Sequence, residues 1–238
     1  MIGTGFKFVY FEIIEESVMT LLELEKKYWE SLEKQSQQLV SLYESIRSST
    51  SISLEEREVT KAILLRMKAY YVTQNKIKGF LNKRYLTPAS DFFVEAIVFY
   101  LKLLFDKQCG SLEVHSERQI ARERHAIRPD ISVWKNEKVL AIIECKTQLG
   151  WNRDKWEPDF IKRESKLKAI FPNAKAFLVV MTSENWSGFP INDKKIGEQY
   201  FTLSSTWPTN ISEERVDSYI INPIESLFNK IMTIYPQR

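Results

Sequence analysis

The central stretch of the chain reads RPDISVWKNEKVLAIIECKTQ and runs from Arg128 to Gln148. β-Branched and aromatic residues are frequent in both of its halves, and the polar pair Asn136-Glu137 lies between them. This pattern predicts two β-strands joined by a tight turn. The second half contains a continuous apolar run, which is typical of a strand that is buried on both faces.

Three charged side chains interrupt this apolar pattern, namely Asp130, Glu144 and Lys146. Because alternate side chains of a strand share a face, Glu144 and Lys146 point the same way, and Asp130 can meet them from the neighbouring strand. Charges at the end of a core strand are costly unless they are paired or bind a metal. Carboxylates are ligands for Mg²⁺, and a lysine beside the metal can orient a water molecule. The three residue types together suit the hydrolysis of phosphodiesters.

Together, the Pro-Asp pair at 129–130 and the Glu-Cys-Lys run at 144–146 resemble the motif of the PD-(D/E)xK nuclease superfamily. Most type II restriction endonucleases and many repair and recombination nucleases belong to it. The resemblance implies Asp130 and Glu144 as ligands of Mg²⁺, for which Mn²⁺ is a substitute. It also implies the backbone carbonyl of Cys145 as a further ligand, and Lys146 as the residue at the nucleophilic water. Beyond these two strands, the chain resembles the superfamily in the order of its elements.

A helix is predicted from Pro88 to about Lys107, and its stretch 92–101 is apolar on nearly every side around one acid, Glu95. A lone carboxylate in a core helix needs a cation. In the resembled superfamily, a helix before the two strands often adds an acidic residue to the metal site. Glu95 is the candidate for that role. The alternative is a carboxylate that pairs with a structural Arg or Lys, or that reaches the edge of the helix.

A basic patch lies just before the Pro-Asp pair and contains Arg118, Arg122, Arg124 and Arg128. Arginine side chains contact phosphates and read guanine edges. These four arginines, together with Gln148, are therefore candidate DNA contacts. The alternative is that the arginines pair with the glutamates interspersed among them.

Two long amphipathic helices are expected in the first part of the chain. The first covers about 15–47, with apolar residues at alternating steps of three and four residues that Glu25 and Ser36 interrupt. A capping-box pattern opens the second, at 53–78. Their opposite net charges favour an antiparallel helical hairpin at 1–85, which would serve in packing, dimerisation or DNA contact.

The order of the remaining elements predicts an α/β fold. A helical pattern at 154–171, with Arg163 facing solvent, leads to an apolar strand at 176–181, and such a crossover implies parallel pairing. We therefore expect a restriction-endonuclease-like core at 86–238, with a central mixed β-sheet flanked by helices. Residues 182–208 are predicted to be rich in loops.

The composition limits the function classes. The chain has 238 residues, 44% hydrophobic residues and a net charge of +3, so a nucleic-acid partner would bind a local patch. Two cysteines are too few for a disulfide framework and fit the cytoplasm, which is the expected location. We expect no membrane association and no nucleotide cofactor, because the sequence lacks a signal peptide, a charge-free span, a phosphate loop and a zinc-ligand pattern.

These observations favour a Mg²⁺-dependent endonuclease that hydrolyses double-stranded DNA. A type II restriction endonuclease acting as a homodimer is expected, because two active sites are needed to cut both strands together. A structure-specific repair, phage or recombination nuclease of the same superfamily is one alternative. A non-catalytic helical interaction module with a coincidental motif is the second.

Overall fold

The structure is a computed structural model and describes residues 19–49, 51–122, 124, 126–150, 155–186, 189 and 193–234. By its internal contacts the chain divides into two compact units, Met1–Ser45 and Ile46–Arg238. This division lies within the first helix and differs from the expected boundary at residue 85, because the second helix packs inside the unit that holds the sheet. The antiparallel arrangement of the first two helices stays a prediction.

Helix α1 covers Leu21–Ser49 and has no buried residue. Its start is set by a reciprocal capping box, in which the Thr20 N–H donates to Glu23 Oε2 at 2.7 Å and the Glu23 N–H donates to Thr20 Oγ1 at 3.3 Å. The start expected at Glu15 lies outside the described residues.

The second unit holds four further helices and five strands among its described residues. The helices are α2 (Glu58–Phe80), α3 (Ser90–Gln108), α4 (Trp156–Ile170) and α5 (Ile224–Ile234), with short 3₁₀ helices at Pro208–Asn210 and Glu213–Tyr219. The strands are β1 (Glu113–Ser116), β2 (Ile131–Lys135), β3 (Lys138–Lys146), β4 (Lys175–Thr182) and β5 (Tyr200–Ser204).

The strands form one five-stranded mixed sheet in the order β1-β2-β3-β4-β5. Strands β1, β2 and β3 pair antiparallel, whereas β3 pairs with β4, and β4 with β5, in parallel. The turn between β2 and β3 is formed by Asn136 and Glu137, whose φ angles are 45° and 64°. Positive φ at both positions is typical of the two-residue turns that match strand twist. The prediction of an α/β fold with a mixed sheet is thus confirmed.

Helices cover both faces of the sheet. On one face, Phe160 and Leu167 of α4 pack into a buried cluster with Trp134, Ile142 and Leu178 of the strands. Helices α2, α3 and α5 cover the opposite face, where they contact β1, β3 and β5. The end of β3 therefore lies between α3 on one side and α4 on the other, and this position creates the candidate site.

The segment 182–208, predicted to be rich in loops, also contains the strand β5, which the sequence did not indicate. All five residues of β5 are buried. So short a run, buried on both faces, shows no alternation that would separate it from an apolar loop.

Helix α2 begins at Glu58, so the capping box expected at 53–56 does not open it. A distant residue caps the helix instead. The buried carboxylate of Glu225 in α5 accepts hydrogen bonds from the N–H of Thr60 at 3.0 Å and from the Thr60 hydroxyl. This cap joins α2 to α5 and secures α2 in the sheet-bearing unit.

Within the described part of the chain, no helix combines the length and the apolar character that a membrane crossing requires.

Candidate active site at the end of the central strands

Asp130 and Glu144 occupy facing positions at the ends of neighbouring strands. The register pairs Ile131 with Ile143, which brings the next residues of the two strands, Asp130 and Glu144, opposite one another. Asp130 Oδ2 also accepts a hydrogen bond from the backbone N–H of Cys145 at 2.7 Å. The Asp130 carboxylate is therefore fixed against the backbone of β3.

Lys146 completes this group. Its Nζ lies 3.8 Å from Asp130 Oδ2, and its side chain is about half exposed. The ammonium group is therefore close to the carboxylate and still open to solvent, where a water molecule or an anion can reach it.

Glu144 lies in a different environment from Asp130. Its side chain is 5% exposed, and its Oε1 accepts a hydrogen bond from Arg163 Nη1 at 2.8 Å. Burial, and after it the charge of Asp130, raise the pKa of Glu144, whereas Arg163 and Lys146 lower it, and the net result is a pKa of about 7. Two neighbouring carboxylates are thus only partly neutralised by the cations around them.

Because the two carboxylates are only partly neutralised, we asked whether they could hold a divalent cation. A divalent cation between Asp130 and Glu144 would offset the repulsion that raises the Glu144 pKa. Mg²⁺ usually takes one or two carboxylates and keeps several water molecules. Among the residues that the structure describes, no three His, Cys, Asp or Glu side chains are grouped closely enough to hold a metal. The residues fit a two-carboxylate Mg²⁺ site and not a cage built wholly from side chains.

Two clefts open on either side of the end of β3. The first, which we name the acidic cleft, has a volume of about 660 Å³ and lies on the side of α3. Its ionisable lining residues are Asp91, Glu95, Glu117, Asp130 and Lys146.

The second, which we name the basic cleft, has a volume of about 240 Å³ and lies on the side of α4. Its ionisable lining residues are Glu144, Lys146, Lys155, Asp159 and Arg163. Lys146 and Gln148 line both clefts, so the two share a border at the end of β3.

Glu95 is exposed and lines the acidic cleft together with Asp130 and Lys146. The expectation that α3 is apolar on all sides is wrong, since Asp91 and Glu95 are both exposed, and the alternative of a carboxylate at the edge of the helix is confirmed. The edge of α3 opens onto the cleft, so the Glu95 carboxylate needs no buried cation. Its position is compatible with a water-mediated role at a metal, and that role stays a prediction.

The side chain of Cys145 is buried, and burial raises the pKa of its thiol well above the usual value. Its backbone N–H is the group that holds Asp130. Cys145 therefore acts on the site through its backbone N–H, which the sequence did not indicate, and the use of its carbonyl as a metal ligand stays a prediction.

The four candidate DNA-contacting arginines divide into two groups. The guanidinium of Arg118 lies 3.9 Å from the centre of the Trp134 ring, and its Nη1 is 2.8 Å from His115 Nε2. Arg118 is thus partly held by its neighbours. The other three, as well as Gln148, are exposed, and their contact with DNA stays a prediction: Arg122, Arg124 and Arg128.

Arg163 was expected to face solvent, and this is wrong, because it pairs with Glu144. A signal for this contact exists in the sequence. Arg163 lies three residues after Phe160 and four before Leu167, the two buried residues of α4, so it shares their face.

A second contact that the sequence did not indicate supports the site from α2. Burial raises the pKa of Tyr71 to about 12, while a hydrogen bond with the Thr147 side chain acts in the opposite direction. Tyr71 is buried and follows Met67 and Leu64 on the packed face of α2. The residue after Lys146 is therefore anchored from the α2 side.

No model of a known protein family matches the chain, and no curated protein matches it significantly. The fold and the site define it only as an α/β protein with two neighbouring carboxylates and a lysine at the end of its central strands.

Proposed function

We propose that this chain is a Mg²⁺-dependent DNA endonuclease of the PD-(D/E)xK type. The observation that carries the proposal is the grouping of three side chains that suit phosphodiester hydrolysis. Asp130 and Glu144 face each other across β2 and β3, and Lys146 Nζ lies 3.8 Å from Asp130. The register of a hairpin alone does not require the lysine to lie beside the carboxylate.

The arrangement of the elements supports the same proposal. A helix, three antiparallel strands, a crossover helix and a parallel strand follow one another as α3, β1, β2, β3, α4 and β4. This order fits a restriction-endonuclease-like core, in which the catalytic residues lie at the ends of the second and third strands.

Each residue of the site has a role in this proposal. Asp130 and Glu144 would hold Mg²⁺, which on binding offsets the negative charge that develops on the phosphate. Lys146, half-exposed beside Asp130, would position the attacking water by donating a hydrogen bond to it. Arg163, whose guanidinium pairs with Glu144, would also donate hydrogen bonds to the phosphate backbone in the basic cleft.

The substrate that we propose is double-stranded DNA, and a type II restriction endonuclease is the favoured activity. Cutting both strands together needs two sites, and a homodimer supplies them. The exposed arginines at 122, 124 and 128 lead directly into Pro129 and Asp130, so DNA bound to them would lie close to the carboxylates.

The test is digestion of a plasmid of known sequence with Mg²⁺, followed by mapping of the ends. Discrete ends at one repeated sequence support a restriction enzyme. Cleavage of branched or flap substrates in preference to the plasmid supports a structure-specific nuclease instead. Wild-type protein that never nicks DNA, with Mg²⁺ or Mn²⁺, contradicts the proposal and favours a non-catalytic module.

Matched variants locate the activity within the site. Lys146→Ala should abolish cleavage while DNA binding in Ca²⁺ persists, because the ammonium acts on the water and not on the overall charge. Lys155→Ala removes a second lysine of the basic cleft and should leave most of the activity. Equal activity of wild type and Lys146→Ala would contradict the assignment.

A further inference from the structure

Helix α1 carries a large amount of apolar surface that is exposed among the residues that the structure describes. Leu22 is 72% exposed, Trp29 54%, Leu32 50% and Val40 63%. No residue of α1 is buried. Contiguous exposed apolar surface of this kind marks an interaction site.

Three of these residues, Leu22, Trp29 and Leu32, follow the spacing of a coiled coil. Alternating steps of three and four residues keep side chains on one stripe of a helix, which faces a partner helix. We name this stripe the α1 seam. It consists of Leu22, Glu25, Trp29, Leu32, Ser36 and Leu39. Four members of the seam are apolar, and Glu25 and Ser36 interrupt it.

The polar residues Glu25 and Ser36 of the seam determine which partner helix it can pack against. We propose that α1 pairs antiparallel with α1 of a second copy of this chain, about a two-fold axis between Glu30 and Ser31. The seam alternates between the a and d positions of a heptad, and in an antiparallel pair each a position faces a d position of the other helix. Glu25 then lies opposite Ser36 of the second copy, so the two polar residues meet each other and not an apolar side chain.

The apolar members of the seam match in the same register. Leu22 lies opposite Leu39 of the second copy, and Trp29 lies opposite Leu32. The axis at 30–31 is thus surrounded by two identical Trp-Leu layers. Large aromatic residues at the centre of an interface are the usual source of its affinity.

The residues that flank the seam are complementary as well. Lys26 on one copy comes close to Glu33 on the other, which places opposite charges together. Further along the same pair of helices, the flanking residues that meet are apolar on both sides. They are Leu21 of one copy and Leu42 of the other, both exposed in the single chain.

A parallel pair does not give this match. It places Glu25 opposite Glu25 and Ser36 opposite Ser36, so two carboxylates would share an apolar seam. The antiparallel register avoids this repulsion, and beside the seam it brings opposite charges together at one place and apolar residues together at another. The partner that the sequence of α1 fits is therefore a second copy in the reverse direction.

The test uses the full-length protein and measures its mass in solution by sedimentation equilibrium over a range of concentrations. The wild type should dimerise, and Trp29→Glu with Leu32→Glu should raise the dissociation constant about 30-fold or more, the effect of losing a central hot spot. Leu24→Glu is the matched control, because Leu24 is 51% exposed and lies off the seam. A wild type that stays monomeric, or a double variant that dimerises like the control, would overturn the proposal.

Charge exchange tests the register, and circular dichroism of each variant accounts for the intrahelical Lys26–Glu30 pair that the exchange at Lys26 removes. Lys26→Glu alone and Glu33→Lys alone should each weaken the dimer, because each brings like charges together across the pair. The variant with both exchanges should regain affinity. Loss of affinity that does not recover in the combined variant would contradict the register.

Cysteine cross-linking determines the direction of the pair. A variant with Glu25→Cys and Ser36→Cys should form disulfide-linked dimers on mild oxidation, whereas Ser36→Cys alone should not. The two native cysteines, Cys109 and Cys145, are buried and give little background. Efficient cross-linking of Ser36→Cys alone would show a parallel pair and overturn the antiparallel assignment.

This inference concerns assembly and does not rest on the proposed nuclease activity. A dimer that never nicks DNA would support the pairing of α1 and contradict the proposed function. A monomer that cleaves DNA would do the opposite.

Discussion

The acidic cleft and the basic cleft share Lys146 and Gln148, but the carboxylates that line them differ in solvent exposure and in their partners. On the acidic side, Asp130 is held by a backbone N–H and lies in a partly open space with further carboxylates. On the basic side, Glu144 is buried and its main cation is Arg163. The pair of carboxylates is thus divided between a solvated environment and a desolvated one.

This difference in environment gives the two carboxylates at the end of β3 different properties. A solvated carboxylate can exchange ligands with water, whereas a buried carboxylate stores an electrostatic cost that a cation can relieve. Lys146 lies at the border of the two clefts, and in the proposed function it positions the attacking water there. Four predictions test this comparison, and they follow in order of decreasing effect.

The largest effect is expected from Asp130→Asn. Without this carboxylate, Mg²⁺ loses its solvated ligand, and cleavage should fall by about 10²–10⁴-fold. Titration calorimetry with Mn²⁺ should show weaker metal binding in the same variant. Asp91→Asn is the control, since it removes another carboxylate of the acidic cleft and should change neither quantity much. Equal losses in both variants would mean that only the total charge of the cleft matters.

The second prediction concerns pH and the metal-free protein. Because the pKa of Glu144 is raised from 4.5 to about 7 on folding, the folded state holds this proton more tightly than the unfolded state. The resulting stabilisation is complete below about pH 4.5 and is lost as the pH rises through about 7. Glu144→Gln, which cannot ionise, should therefore be more stable than wild type at pH 8, by about 3 kcal/mol.

Urea unfolding in EDTA at pH 5 and pH 8 measures this difference. At pH 5 the two proteins should have similar free energies of unfolding. Mg²⁺ at pH 8 should stabilise wild type more than Glu144→Gln, because it binds the ionised carboxylate. A difference that is the same at both pH values would contradict the buried, proton-retaining state of Glu144.

The third prediction concerns the cation of the basic cleft. Arg163→Ala leaves the buried Glu144 without its nearest partner and should lower the free energy of unfolding at pH 8 by about 1–3 kcal/mol. Lys162→Ala is the matched control, because Lys162 is the exposed preceding residue of α4. If Arg163→Ala is no worse than the control, water rather than Arg163 solvates Glu144.

The hairpin part of this site could be predicted from the sequence because its determinants are local. Alternation along β2 and β3 indicates which side chains share a face, and Asn136-Glu137 marks the turn between them. The register that brings Asp130 opposite Glu144 also needs a one-residue shift of the pairing between Val133 and Trp134, because the turn alone would pair Asp130 with Ile143. Both signals lie within one short stretch. The α/β class follows from the same kind of local pattern, repeated along the chain.

The remaining contacts join distant parts of the chain, and no local pattern encodes them. Arg163 reaches Glu144 from the next helix, and Glu225 caps α2 from the last helix. The exposure of Glu95 depends on where α3 ends its packing against the sheet. An apolar helix in sequence can still open one edge onto a cleft, and only the tertiary arrangement shows which edge.

Glu95 gives the fourth and smallest prediction, and it distinguishes the two edges of α3. If Glu95 orders metal-bound water in the acidic cleft, Glu95→Gln should reduce cleavage about 10-fold, the lower end of the effect of an outer-shell ligand. Its stability should stay near that of wild type, because the residue is exposed. Asp106→Asn, on the same helix but outside the cleft lining, should leave cleavage unchanged. Full activity of Glu95→Gln would show that Glu95 has no role in cleavage. The acidic cleft would then contribute to the reaction through Asp130 and Lys146, and the other charged residues that act on it would be those of the basic cleft.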